Sequence, residues 1–131
     1  MIKEWKKKSS KYLLENKIFK LREDIVESPK LETEHKVWAM EVPTWVNIIP
    51  ITSLGEVILV NQYRFGMEKF SLEIPGGMSD IGEDPMLAAT RELKEETGYV
   101  GKKVLEIGRV ESNPAIMSVS YTHLRAHETY P

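Results

Sequence analysis

The stretch between Asp84 and Gly98 is the one part of this chain whose local conformation is fixed from both ends. Asp84 is a good N-cap, and Pro85 suits the first helical position, where its missing N–H costs nothing. Gly98 stands where a helix closes on a left-handed residue. Leu87, Ala88, Ala89, Leu93 and several Glu and Lys residues lie between them, so the spacing predicts a helix over 85–97. Everything around it reads as short strands. Residues 17–22 (KIFKLR) alternate at period two, and 37–42 form a β-rich run after a Ser28-Pro29 turn. Residues 45–52 and 56–63 flank Ser53-Leu54-Gly55, which predicts a hairpin with glycine at the turn. Residues 70–74 make a short strand ending in Pro75-Gly76-Gly77, and another strand follows over 102–110. One helix set among many short strands is an α+β domain.

Composition narrows the function classes. The 131 residues carry 18 Lys+Arg against 20 Asp+Glu, a formal charge of −2, which argues against a dedicated nucleic-acid binder. The absence of cysteine excludes disulfides, Cys-ligated zinc, iron–sulfur clusters and a thiol nucleophile. No apolar run reaches the ~18–20 residues of a membrane span. The lysine-rich start, MIKEWKKKSS, is followed by no apolar core of a secretory signal and reads as a solvated arm, so a cytoplasmic protein is expected.

The carboxylates of the helix are badly placed for stability. Glu92 and Glu96 are spaced i, i+4 on one face, with Glu95 beside them, and like charges at that spacing repel. Glu95 and Glu96 also fall in the last turn, where the helix dipole disfavours negative charge by roughly 0.3–1 kcal/mol. Glu83 adds a fourth carboxylate just before the helix. A solvated acidic surface is the ordinary fate of such a cluster. A hard divalent cation bound by oxygen ligands would instead turn the repulsion into attraction. The Gly76-Gly77 pair, which lets backbone approach a ligand closely, favours the cation.

Together these residues resemble a family signature. Gly77, five residues, Glu83, seven residues, Arg91-Glu92-Leu93, one residue, Glu95-Glu96, one residue and Gly98-Tyr99 is similar to the Nudix box. Tyr99 is its one soft departure, an aromatic where the family usually has an aliphatic residue. The resemblance implies an α/β/α sandwich around a mixed sheet, with residues 1–43 as an N-terminal antiparallel strand extension. It also implies Mg²⁺- or Mn²⁺-dependent hydrolysis of a nucleoside diphosphate linked to another moiety. By motif position Glu92 and Glu96 would be metal ligands, with Glu95 a further ligand or helper and Glu83 near the cluster. Gly76 would offer its carbonyl to a metal, and Arg91 would brace the glutamates.

Asn61-Gln62-Tyr63-Arg64 and Leu72-Glu73-Ile74-Pro75-Gly76-Gly77 resemble the ADP-ribose/nucleotide-sugar pyrophosphatase branch, as does Pro114 downstream of the box. By that resemblance Arg64 would contact phosphate or ribose, Glu73 would hydrogen-bond substrate, and the N-terminal strands would form a homodimer. Trp45 or Trp38 would stack an adenine ring, against the packing role an aromatic more often takes. Two alternatives stay open: a Nudix pyrophosphatase for nucleoside triphosphates or dinucleoside polyphosphates, and a non-catalytic ADP-ribose-binding module. Retention of Glu92, Glu95 and Glu96 favours an enzyme.

The last residues read differently. His123 and His127 have a helical ligand spacing with Glu128 adjacent, but no H-E-x-x-H pattern, so a zinc site is not expected. Residues 119–129 (VSYTHLRAHET) resemble a translated sequencing adapter. The expected organisation is therefore an extension over 1–43, an incomplete Nudix core over 44–118 and an artefactual tail over 119–131. That core would lack a sheet strand, a packing helix and a loop that often brings a further glutamate.

Overall fold

A computed structural model describes residues 3–131; Met1 and Ile2, the start of the lysine-rich run, lie outside the described residues. The chain divides into two compact units, Met1–Pro43 with Glu111–Val119, and Thr44–Val110 with Ser120–Pro131.

The first unit is a four-stranded sheet in the order β1-β2-β3-β9. Its strands are β1 (Lys6–Glu15), β2 (Lys20–Glu27), β3 (Glu34–Glu41) and the two-residue β9 (Met117–Ser118). β1, β2 and β3 pair antiparallel, and β9 joins β3 in parallel. The lysine run expected as a solvated arm is instead an edge strand, exposed along its whole length. Lysines along an edge also discourage strand-to-strand aggregation. Polar contacts knit this sheet. Asp24, 4% exposed, accepts from the Ser10 hydroxyl at 2.5 Å and from Arg22, which also pairs with Glu41.

The second unit carries the mixed sheet β7-β4-β10-β8, built from β4 (Trp45–Thr52), β7 (Gly76–Met78), β8 (Lys103–Val110) and β10 (Tyr121–Thr129). A separate two-stranded ribbon pairs β5 (Val60–Arg64) with β6 (Lys69–Glu73). Helix α1 (Pro85–Thr97) has the predicted bounds. Asp84 accepts from the Met86 and Leu87 amides, and Gly98 closes the helix at φ 75°. Ala88, Ala89 and Leu93 of α1 pack with Val46, Ile48, Leu124 and Ala126 of the sheet, all at 0% exposure. The two alanines let the helix sit close to the strands.

Two expectations change here. The predicted hairpin keeps its turn, with Gly55 at φ 81° and Ile51 bridging Val57, but the ladder stops there. Neither edge of β4 has room for it. β10 takes one side, and β7 together with Pro75 takes the other as far as Ile48. Residues 56–58 dock only beyond that point, and β5 pairs with β6 instead.

The other change concerns residues 119–129, which the sequence set apart as a tail. They include β10, which pairs parallel with β4 and antiparallel with β8 in the middle of the sheet. This segment thus forms a central strand of the sheet. Its alternation explains the fit: Thr122, Leu124 and Ala126 turn inward and are at most 1% exposed. Because the segment is extended, His123 and His127 no longer share a helical face.

Candidate functional site

The site lies where the box backbone, β7 and the loop after it, runs beside α1. Close approach requires glycine at Gly76, where backbone is the obstacle, while Gly77 faces a side-chain end. A Cβ on Gly76 would strike the Val46 carbonyl oxygen and the Asn47 side chain. A Cβ on Gly77 would lie 2.5 Å from the Glu92 carboxylate, so that carboxylate rests directly on the glycine backbone. Glu96, one turn further along the same face, accepts the Gly76 N–H at 3.0 Å through Oε2 and the Gln62 side-chain amide through Oε1. The repulsion read from the i, i+4 spacing is thus relieved by separate donors, one set for each glutamate.

Arg91 organises the other half. Its Nε and Nη2 donate to the two Glu83 oxygens at 3.0 and 2.9 Å. Nη1 donates to Glu92 at 2.8 Å and to Glu95 at 3.3 Å, and Nη2 also reaches the Met78 carbonyl at 3.1 Å. The Glu83 bonds, followed by those to Glu92, raise the Arg91 pKa, so the guanidinium stays charged at any working pH. The same Arg91 bonds, with the Asp80 amide, hold the Glu83 carboxyl below its ordinary range. Glu95 is the most open of the four, with its side chain 60% exposed.

The ribbon adds a second ion pair. Burial alternates along β5, and Val60, Gln62 and Arg64 share its more covered face. Arg64 Nε donates to both Glu73 oxygens, at 3.0 and 3.2 Å, and its Nη2 adds a third bond. This pairing, with Ser71 contributing, lowers the Glu73 pKa to about 2. The two residues expected on substrate are therefore bonded to each other. Trp45 stacks on Tyr121, ring centroids 6.2 Å apart and planes 26° apart. Trp38 lies in the other unit, on β3.

Of the residues singled out by sequence, Arg91, Glu83, Glu92 and Glu95 thus belong to one hydrogen-bonded group, Gly76 and Glu96 to a second, and Arg64 with Glu73 to a third. Gln62 carried no role in the sequence reading. The signal was present in Gln62-Tyr63-Arg64, since i and i+2 on a strand share a face.

The donor set suits a hard cation. Its side-chain ligands would all be carboxylate oxygens, and the Gly76 carbonyl is the same class. Among the described residues, no three His, Asp or Glu side chains converge into a ready cage. Glu83, Glu92 and Glu95 surround Arg91 instead, so a cation would compete with that guanidinium for the same oxygens.

A model of the NUDIX domain matches residues 43–129, and a model of the nucleoside diphosphate sugar hydrolase N-terminal domain matches residues 5–30. The methanol dehydrogenase activator of Bacillus methanolicus is 40% identical over 87 residues, 66% of this chain and 46% of that protein. The ADP-ribose pyrophosphatase of Bacillus subtilis is 40% identical over 72 residues, 55% of this chain and 39% of that protein. The ADP-sugar pyrophosphatase of Mus musculus is 54% identical over 46 residues, 35% of this chain and 21% of that protein. The chain thus spans under half the length of these curated relatives. A crystal structure of an ADP compounds hydrolase superposes with TM-score 0.89 at 24% identity, covering 100% of this chain and 71% of the other, which shows a shared fold.

Proposed function

The chain belongs to the NUDIX domain family, and from that premise we propose that it hydrolyses the pyrophosphate bond of an ADP-sugar compound, ADP-ribose foremost. Water adds its oxygen to one phosphorus, the bridging P–O bond breaks, and AMP and a sugar phosphate leave. The observation that carries this reading is the seating of Glu92 on Gly77 and of Glu96 on the Gly76 N–H, two carboxylates held along one strand of backbone. The names of the relatives from Bacillus subtilis and Mus musculus, and the N-terminal domain match, support the ADP-sugar class.

In this reading Glu92, Glu96 and the Gly76 carbonyl would hold Mg²⁺ or Mn²⁺, with Glu83 adjacent and Glu95 a further ligand or helper. The bound ions would neutralise the diphosphate and make the attacking water more acidic. The remaining work falls to the chain. Glu95, the most solvent-exposed of the carboxylates, accepts the proton of the attacking water. Arg91 orients Glu83 and Glu92 through its ion pairs with both. Arg64, steadied through Nε and Nη2 by Glu73, presents Nη1 to a substrate phosphate or ribose, since that nitrogen makes no bond among the described residues. Trp45, already stacked on Tyr121, offers its other ring face to a base.

The N-terminal unit supports a homodimer. Tyr12, Leu14, Ile18 and Trp38 are each at least half exposed there, more apolar surface than a small sheet comfortably shows to water. Among the described residues no helix is long and apolar enough to cross a membrane, and cytoplasmic placement remains part of this proposal.

The test is release of AMP from ADP-ribose, ADP-glucose and nucleoside triphosphates with Mg²⁺ and with excess EDTA. Turnover of ADP-ribose that vanishes with EDTA is expected, and Glu96→Gln should cost several orders of magnitude in kcat with little change in melting temperature. Turnover confined to triphosphates would overturn the substrate class, and full activity in EDTA would overturn the metal. The adapter resemblance of residues 119–129 is kept as a proposal about the gene. Reading the genomic locus should give different residues after Met117 with the same inward apolar alternation, and an unchanged VSYTHLRAHET would overturn it.

A further inference from the structure

We infer that Gln62 is a positioning residue, whose side-chain amide fixes the plane of the Glu96 carboxylate before any cation or substrate arrives. The inference rests on the metal reading above and assigns a role to a residue outside the box. Glu96 sits in the last turn of α1, where the helix supplies no favourable partner. The free carbonyls there repel a carboxylate, and Lys94, the one basic residue of that turn, makes no bond to it among the described residues. Left alone, its side chain would sample several rotamers.

Two donors from two different elements prevent that. Gly76 N–H of β7 takes Oε2, and Gln62 Nε2 of β5 takes Oε1. With one neutral donor on each oxygen, the carboxylate can neither spin nor swing away. Each oxygen also keeps a lone pair for a cation. The chemistry of the second donor matters. Lys or Arg at position 62 would neutralise the charge a cation needs, whereas an amide orients it and leaves it intact. The placement is not accidental packing, because the next residue on the same strand face, Arg64, is held by Glu73. That clamp steadies the end of β5 beside Gln62. The backbone opposite is equally constrained, since Gly76 admits no Cβ against β4.

Two measurements on the full chain test this. In ¹⁵N-resolved NMR without added metal, the Gln62 side-chain amide protons should exchange slowly and shift downfield, and Glu96→Ala should abolish both effects. Random-coil behaviour of that amide in the unmodified protein would overturn the inference. In Mn²⁺ titrations followed by EPR, Gln62→Ala should weaken binding of the metal alone by about tenfold with an unchanged melting temperature. Gln62→Asn, one methylene short, should not restore it. Mn²⁺ binding unaltered by Gln62→Ala would overturn the role. If the unmodified chain bound no Mn²⁺ while the Gln62 amide stayed protected, the metal reading would fall and the orienting contact would stand.

Discussion

The unit of Thr44–Val110 and Ser120–Pro131 removes seven apolar side chains wholly from solvent between one helix and a mixed sheet. In the unit of Met1–Pro43 and Glu111–Val119 the priorities are reversed. There the residues withdrawn from water include Asp24 and Ser28, while Trp5, Leu13, Leu14, Ile18 and Trp38 stay largely exposed. Apolar burial gives stability without direction, whereas a buried polar network gives direction with little net stability. The helix-bearing unit can therefore carry a misfit such as stacked glutamates on a helix end. The other depends on each hydrogen bond and keeps its apolar surface for another contact.

Leu124→Asp should break this contrast most severely. An unpaired carboxylate at a fully covered position costs at least about 3 kcal/mol, and β10 sits between two partners. Hydrogen exchange should show lost protection in β4, β8 and α1; unchanged protection would mean the apolar core is not what holds that unit. Asp24→Ala should act on the other unit by about 1–3 kcal/mol, because it strands the Ser10 hydroxyl and one side of Arg22. Faster exchange in β1 and β2, with α1 unaffected, is expected, and an equal loss in α1 would erase the distinction.

Acid should have the smallest effect. The Arg64 bonds hold Glu73 near pKa 2, below its unfolded value of roughly 4.3. Its contribution is therefore complete above about pH 4.3 and is lost as pH falls toward 2. Burial opposes the charge on Asp24, but Ser10 and Arg22 outweigh it and lower that pKa as well, so the same sign applies. Denaturant midpoints measured from pH 5 to pH 2 should decline less steeply in Arg64→Ala than in the unmodified chain; parallel declines would show that the ion pair is not responsible.

Local chemistry was legible in the sequence and long-range competition was not. Asp84, Pro85 and Gly98 fix the bounds of α1 through contacts a few residues long, so a linear reading finds them. The box spacing places Glu83 through Glu96 because one helix and its preceding loop carry them all. The partner of β5 could not be read, since it depends on β7 and β10 already holding both edges of β4. The role of Gln62 is hidden from a linear reading for the same reason. Its bond to Glu96 spans two elements with no fixed offset between them. Nor could residues 119–129 be placed, because their short inward alternation acquires meaning only beside strands far earlier in the chain.

That central strand also has a kinetic consequence. The register sets Tyr121 against Trp45 and Ala126 against Pro50, so β4 leaves the ribosome long before its neighbour exists. Until β10 arrives, the nascent chain shows Val46, Ile48 and the inner face of α1 to solvent, with a bare parallel edge beside them. Parallel pairing across so long a loop is slow. The waiting surface is what chaperones bind and aggregates recruit, so yield from cells should respond more to temperature and synthesis rate than to any residue of the site.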